Sequence, residues 1–265
     1  MTDETKISIL TGINYGYEGV EPVIISLMAQ NMNFMIVGRH GAGKTRLVKY
    51  LSKGFGKEGF VYYDATKDDL VSVAGIPDPE SMKKGDLRFL QHQRSIWNKT
   101  TIVVDEITRA GRDSQNMWLE ILEEKTCFGM PLVYQSLVAT ANPESYAASN
   151  RLDEALLDRF YAVINIPENQ SGISREGVGK MFDLIFFEDS KNGDSISTQM
   201  VDLFSDLRLE YRKLRQNSAF MGKVREYCSS FASHLLNLQR QNETPTYISP
   251  RTYCRNFPEV VVCIS

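Results

Sequence analysis

The chain has 265 residues, 42% of them hydrophobic and 24% charged, which is typical of a globular protein with one large domain or two modest ones. Its formal net charge of −3 argues against broad nucleic-acid binding, although it leaves room for a local basic patch. The chain has no apolar run long enough to span a bilayer and no signal-peptide pattern, so we expect a cytoplasmic protein.

Short apolar segments alternate with segments of helical periodicity over the first part of the chain. The predicted strands are Phe34–Val37, Phe60–Tyr63, Thr101–Val104, Ser136–Thr140 and Ala162–Ile166. The predicted helices between them are Thr45–Ser52, Asp113–Glu124 and Asp153–Arg159. Several strands are continuous apolar runs, as expected for strands that helices cover on both faces. The pattern therefore predicts an α/β fold with a mostly parallel sheet.

The chain changes character at the polar segment 167–172, which contains Pro and Gly and is typical of a linker. Beyond it, two apolar stripes with helical spacing predict a small helical bundle. They consist of Val201, Phe204, Leu207, Tyr211 and Leu214, and of Met221, Val224, Cys228, Phe231, Leu235 and Leu238. We therefore predict a nucleotide-binding domain at 1–168 and a helical domain at 169–265. A basic cluster beside the first stripe is typical of a solvated helix face, with a partner surface as the alternative; it consists of Arg208, Arg212, Lys213 and Arg215.

The segment from Gly38 to Thr45 fits the pattern G-x-x-x-x-G-K-[ST] between a predicted strand and a predicted helix, the context that a phosphate-binding loop requires. Glycines let backbone N–H groups turn toward phosphates, and the helix N-terminus favours anions. Lys44 is expected to reach the β- and γ-phosphates, and the Thr45 hydroxyl to hold Mg²⁺. The expected nucleotide contacts are Gly38, Arg39, His40, Gly41, Ala42, Gly43, Lys44, Thr45 and Arg46.

Two further strands end in polar residues that suit hydrolysis. Asp105 and Glu106 close the strand that begins at Thr101. An acid at a strand's carboxyl end projects into the crevice where ligands bind. We expect Asp105 to bind Mg²⁺ through water and Glu106 to orient and deprotonate the attacking water. Asn142, which follows the next strand, is placed to hydrogen-bond the γ-phosphate or that water.

As an ordered set, these motifs resemble the AAA+ ATPases, and more narrowly their MoxR branch. The set consists of Gly38–Thr45, Asp105-Glu106, Ala139–Pro143, Leu152–Phe160 and Ser249-Pro250-Arg251. The resemblance implies a three-layer αβα core with a small all-α lid, and ATP and ADP as nucleotides with Mg²⁺. It also implies hydrolysis in a hexameric ring that remodels other proteins. It also implies that Asn142 is the sensor 1 residue, Arg159 the finger that reaches the neighbouring subunit's γ-phosphate, and Arg251 the sensor 2 arginine. A separately encoded substrate or adaptor, often of the von Willebrand A type, is the expected partner.

The chain departs from the MoxR pattern at several positions. Thr108 stands where that branch usually has Asn, and His40 lies inside the phosphate loop. Segments Asp68–Leu90 and Cys127–Tyr134 fall where the branch carries inserts that reach the central pore, and both are short. Two alternatives therefore stay open: a DNA-acting motor, such as a helicase or branch-migration ATPase, and a nucleotide-gated scaffold with little turnover. A GTPase is disfavoured because the chain has no N-K-x-D motif.

Overall fold

A computed structural model describes residues 20–56, 59–143, 152–166, 193–241 and 251–265. The strands are β1 Phe34–Val37, β2 Phe60–Asp64, β3 Ile76–Pro77, β4 Phe89–Leu90, β5 Thr101–Asp105, β6 Thr126–Cys127, β7 Met130–Pro131, β8 Ser136–Ala141 and β9 Ala162–Asn165. The α-helices are α1 Glu21–Ala29, α2 Lys44–Leu51, α3 Leu70–Ala74, α4 Pro79–Lys83, α5 Arg112–Glu124, α6 Glu154–Leu157, α7 Gly193–Gln216, α8 Ser218–Gln241 and α9 Phe257–Ile264. Tighter or wider helical turns occupy Ser52–Phe55, Ile107–Arg109 and Thr252–Asn256.

Five strands form one parallel sheet in the order β2-β5-β8-β1-β9. Their side chains alternate between two apolar layers, as successive residues of a strand must. On one face, Val104 packs in a cluster with Trp118 of α5. On the other, Val103 packs with Leu47 of α2 and with α1. The expected α/β core with helices on both faces and a helical C-terminal region is confirmed.

The predicted strands form with boundaries that shift by at most one residue, because each apolar run is bounded by polar or turn-forming residues. The predicted helix Asp153–Arg159 is shorter and covers only Glu154–Leu157. Asp153 caps it, since its carboxylate accepts a hydrogen bond from the Ala155 N–H at 2.7 Å. Segment 167–172 and the proposed boundary at residue 168 lie outside the described residues.

The two short segments proposed as inserts form antiparallel hairpins, β3 with β4 and β6 with β7. The two hairpins contact each other through Phe89 and Phe128, whose ring centroids are 5.2 Å apart. Ile76 and Leu90 stay exposed on the first hairpin. Both segments therefore form ordered strand pairs that contact each other, although they are short.

Helix α7 packs directly on the sheet layer. Phe204 is fully buried and meets the ring of Phe55 edge-on, with centroids 5.4 Å apart. Arg208 donates from Nε to the Ala29 carbonyl at 2.6 Å and from an Nη to the Asn31 side chain at 3.0 Å. The basic cluster is thus not a uniformly solvated face, since Arg208 joins α7 to the core.

Among the described helices, none has the length and apolar character needed to cross a bilayer.

Candidate active site

The three motifs predicted to bind the phosphates, to bind Mg²⁺ and to activate water meet at one edge of the sheet. Strands β1, β5 and β8 are parallel neighbours, so their carboxyl ends meet there. The phosphate loop begins directly at that edge, because the Gly38 N–H donates to the Ala141 carbonyl at 3.1 Å. Asp105 is the last residue of β5, Glu106 follows it, and Asn142 follows β8. The sheet topology therefore brings the three motifs together.

The phosphate loop is a tight turn that ends on helix α2. Gly41 and Gly43 have φ values of 77° and 78°, a left-handed conformation that favours glycine. Lys44 is buried and donates from Nζ to the carbonyls of Gly38 and Arg39, at 2.8 and 3.0 Å. The ammonium thus lies in the concavity of the loop, where a phosphate group would replace the carbonyls as its partner.

The charge of Lys44 is balanced by the two acids across the edge. Burial lowers the pKa of the Lys44 ammonium, and the carboxylates of Asp105 and Glu106 oppose that shift. Thr45 is half-buried in the first turn of α2, whereas Arg46 is exposed. The two carboxylates therefore favour the charged form of Lys44.

Two neutral hydroxyls orient the Asp105 carboxylate. Tyr62 Oη donates to Oδ2 at 2.7 Å, and Thr140 Oγ1 donates to Oδ1. Burial, and then the hydrogen bond to Asp105, raise the pKa of Tyr62, so the phenol remains a donor at neutral pH. Sequence reasoning missed both hydroxyls. Thr140 lies two residues before Asn142, within the segment Ala139–Pro143 that the sequence had already marked, so its role could have been predicted. No sequence pattern marked Tyr62.

Glu106 leaves the strand in a left-handed backbone conformation, with φ at 53°. Its N–H donates to Thr140 Oγ1 at 3.3 Å, and its Oε2 pairs with Arg109 Nη1 at 2.9 Å. Ile107, Thr108 and Arg109 form a tight helical turn. In this turn the Arg109 N–H donates to the Glu106 carbonyl at 2.8 Å, which places Arg109 beside the Glu106 carboxylate. The sequence had not marked Arg109 as part of the site.

His40 of the phosphate loop contacts the acid and the amide at the same time. Asn142 Nδ2 donates to Glu106 Oε1 at 3.2 Å and lies 3.0 Å from His40 Nε2. His40 Nδ1 lies 3.5 Å from the same Glu106 oxygen. With the amide as donor, Nε2 is the acceptor and Nδ1 carries the proton that faces Glu106. His40, Asn142 and Glu106 form one connected group.

The two predicted arginines lie together, away from this group. Arg159 pairs with the Glu123 carboxylate at the end of α5. Arg251 donates to both oxygens of that carboxylate, at 2.6 Å from Nη1 and 2.5 Å from Nη2. The hydrogen bond from Arg251, with the charge of Arg159, holds the pKa of Glu123 below its usual value. In the described part of the chain, neither arginine contacts the phosphate loop.

Comparison with known proteins agrees with this geometry. Residues 33–160, just under half of the chain, match the family model of the AAA domain of the dynein-related subfamily. A crystal structure of a Cytophaga hutchinsonii protein, assigned as an ATPase, matches with a TM-score of 0.56 and 19% sequence identity. The match covers 77% of this chain and 62% of that protein, and at this identity it shows the fold. No curated protein matches the chain. Residues 33–160 therefore resemble the AAA domain, and the described part of the chain has the αβα P-loop fold of the AAA+ ATPases.

Proposed function

We propose that this chain is an ATPase of the MoxR type that hydrolyses ATP in a hexameric ring to remodel a partner protein. The observation that carries the proposal is the convergence of Lys44, Asp105, Glu106 and Asn142 at one sheet edge of an AAA domain. A cation in a glycine turn, beside a carboxylate pair, is the chemistry that binds and cleaves a triphosphate.

The residues at this edge suit ATP or ADP with Mg²⁺. The Thr45 hydroxyl and the Asp105 carboxylate are the oxygen ligands that Mg²⁺ prefers. Two hydrogen bonds already orient the Asp105 carboxylate, and Lys44 would contact the phosphates. When bound, the ion would offset negative charge on the β- and γ-phosphates.

Glu106 is the group that we assign to water activation. Its carboxylate would orient a water and accept its proton while the water oxygen bonds to the γ-phosphorus. The bond from the γ-phosphorus to the bridging oxygen then breaks, and ADP and phosphate leave. Asn142 would donate its amide to the γ-phosphate or the water, since Nδ2 already points at Glu106.

The remaining assignments extend to the assembly. Arg159 lies on the segment after α6, away from its own phosphate loop, which suits an arginine that acts on the neighbouring subunit's nucleotide. AAA+ proteins usually form rings, and we propose the same for this chain. We assign residues 1–168 to the nucleotide-binding domain and residues 169–265 to a lid that moves between states. The resemblance to the MoxR branch favours a partner of the von Willebrand A type.

Replacing Glu106 tests this function. We expect Glu106→Gln to bind ATP as the wild type does and to lose turnover by about 100-fold or more, because the amide cannot accept the water's proton. Binding is measured with a fluorescent ATP analogue and turnover by phosphate release. Glu124→Gln, which neutralises an acid at the end of α5, is the control and should turn over normally. Wild-type turnover in Glu106→Gln would show that hydrolysis does not depend on this site.

A further inference from the structure

Tyr62 reaches the nucleotide edge from the outermost strand of the sheet. It lies on β2, next to β5, and its Oη donates to Asp105 Oδ2 at 2.7 Å. The ring packs against the apolar layer that contains Leu47 of α2, the helix that follows the phosphate loop. The neighbouring Tyr63 belongs to the opposite layer, where its ring centroid lies 5.7 Å from that of Trp118. The alternation of β2 thus places one phenol at the site and the other away from it.

Two neutral hydroxyls hold the Asp105 carboxylate in the described part of the chain. Oδ2 accepts from Tyr62, and Oδ1 accepts from Thr140. A neutral donor fixes the direction of a carboxylate and leaves its charge in place, whereas an ion pair with Arg or Lys would offset that charge. The negative charge of Asp105 therefore remains available to a cation or to a water that the cation holds.

The two hydroxyls differ in what else they contact. Thr140 Oγ1 also accepts from the Glu106 N–H at 3.3 Å, so Thr140 links the two acids. The Tyr62 hydroxyl donates to Asp105, and burial, followed by that hydrogen bond, raises the pKa of the phenol and keeps it protonated. Removing the Tyr62 hydroxyl would therefore change the support of Asp105 and leave the contact of Thr140 with Glu106 in place.

The binding of Mg²⁺ depends on how such a carboxylate is oriented. The ion requires near-ideal octahedral geometry and keeps several waters, so an acid that meets it through water must point in one direction. Groups that hydrogen-bond a metal ligand typically change metal affinity by about 10- to 100-fold when they are removed. Asp105 and the Thr45 hydroxyl offer the oxygen atoms that suit this ion, and Tyr62 supports the first of them.

We propose that Tyr62 is a positioning residue for the metal ion of this site, and that its phenol sets the affinity for Mg²⁺ by fixing the Asp105 carboxylate. The proposal rests on the nucleotide site proposed above. Tyr62 touches neither the phosphates nor the ion and acts through Asp105.

Removing the phenol hydroxyl tests this role. We expect Tyr62→Phe to weaken the binding of Mn²⁺, a paramagnetic ion that takes the same oxygen ligands as Mg²⁺, to the protein–ADP complex by about tenfold. The electron paramagnetic resonance signal of free Mn²⁺ gives this affinity, and competition with Mg²⁺ gives that of Mg²⁺. The affinity for ADP in EDTA should stay unchanged, because Tyr62 acts on the metal and not on the phosphates.

Tyr63→Phe is the matched control, since it removes the same atom from the next residue, whose hydroxyl donates to the Arg94 carbonyl at 2.5 Å. This variant should bind Mn²⁺ as the wild type does. Wild-type Mn²⁺ affinity in a Tyr62→Phe protein with an unchanged circular dichroism spectrum would overturn the proposal. Equal weakening in both variants would also overturn it, because a general disturbance of β2 would then explain the loss.

A double-mutant cycle tests the route through Asp105. In an Asp105→Ala background, Tyr62→Phe should cause no further loss of Mn²⁺ affinity, and a full tenfold loss there would contradict the proposal. The wild type separates this proposal from the function on which it rests. If its ADP complex binds Mn²⁺ no more tightly than free ADP does, the metal site itself is wrong. If it binds Mn²⁺ tightly and Tyr62→Phe binds equally well, only the role of Tyr62 is wrong.

Discussion

His40 is the residue through which the phosphate loop contacts the proposed hydrolytic group. Its ring lies against Asn142 and Glu106, although 53% of the side chain is exposed. In this arrangement both Glu106 oxygens are occupied, one by Asn142 and His40 and the other by Arg109. An attacking water must compete with these contacts for the carboxylate.

Removing the imidazole should therefore free Glu106. We expect His40→Ala to raise kcat by about two- to fivefold, the effect of one modest hydrogen bond, with little change in the Kd for ATP. Steady-state phosphate release and nucleotide titration measure the two constants. Lys49→Ala, an exposed change on helix α2, is the control. A Kd weakened more than tenfold with kcat unchanged would show instead that His40 binds the nucleotide.

The sequence located some residues of the site and missed others for a physical reason. Asp105 and Asn142 lie where apolar strands end, and Lys44 begins the helix after the loop that follows another strand. Parallel neighbouring strands must bring such ends together. Tyr62 and Glu123 make contacts, with Asp105 and with Arg251, that no local pattern marks. The hydrogen bond from Arg251 to Glu123 joins residues that are 128 positions apart, so only the tertiary fold brings them together.

At the scale of elements, the interface between the sheet layer and helix α7 is tightly packed. Helix α7 lies on the short turn Ser52–Phe55, and Phe204 fills the space above Gly54. A Cβ at residue 54 would come within 2.8 to 2.9 Å of carbons in the Phe204 ring. The absence of a side chain at Gly54 is thus what lets α7 approach the core.

Adding one methyl group there tests this packing. We expect Gly54→Ala to lower the free energy of unfolding by about 1–3 kcal/mol, because the buried Phe204 ring has to shift. Urea unfolding followed by circular dichroism gives the value. Gly222→Ala is the matched control, since a Cβ at that position in α8 meets no atom within 4 Å. Equal stability of the Gly54→Ala variant and the wild type would show that α7 sits less tightly.

The predicted elements also show which structural information is local. The five sheet strands were predictable because short continuous apolar runs bounded by turn residues are typical of buried strands in a globular protein. The helix predicted at Asp153–Arg159 ends early, and Asp158 instead binds Thr252 from the far end of the chain. Helix ends that serve as docking points cannot be read from periodicity, since their partners are remote.

At the scale of the whole molecule, the residues of the sheet edge and the two predicted arginines have different contact partners in the described part of the chain. Lys44 and Glu106 belong to the sheet edge, whereas Arg159 and Arg251 gather around Glu123. Under the proposed function, a neighbouring subunit would bring Arg159 to the nucleotide held at the sheet edge.

The dependence of ATPase activity on subunit concentration tests this separation. Phosphate release per subunit is measured over a dilution series, and native mass spectrometry gives the oligomer present at each concentration. The proposal predicts that activity per subunit rises with concentration together with the ring, and that Arg159→Ala stays inactive throughout although its rings form. A constant activity per subunit, down to concentrations at which the chain is monomeric, would contradict a site shared between subunits.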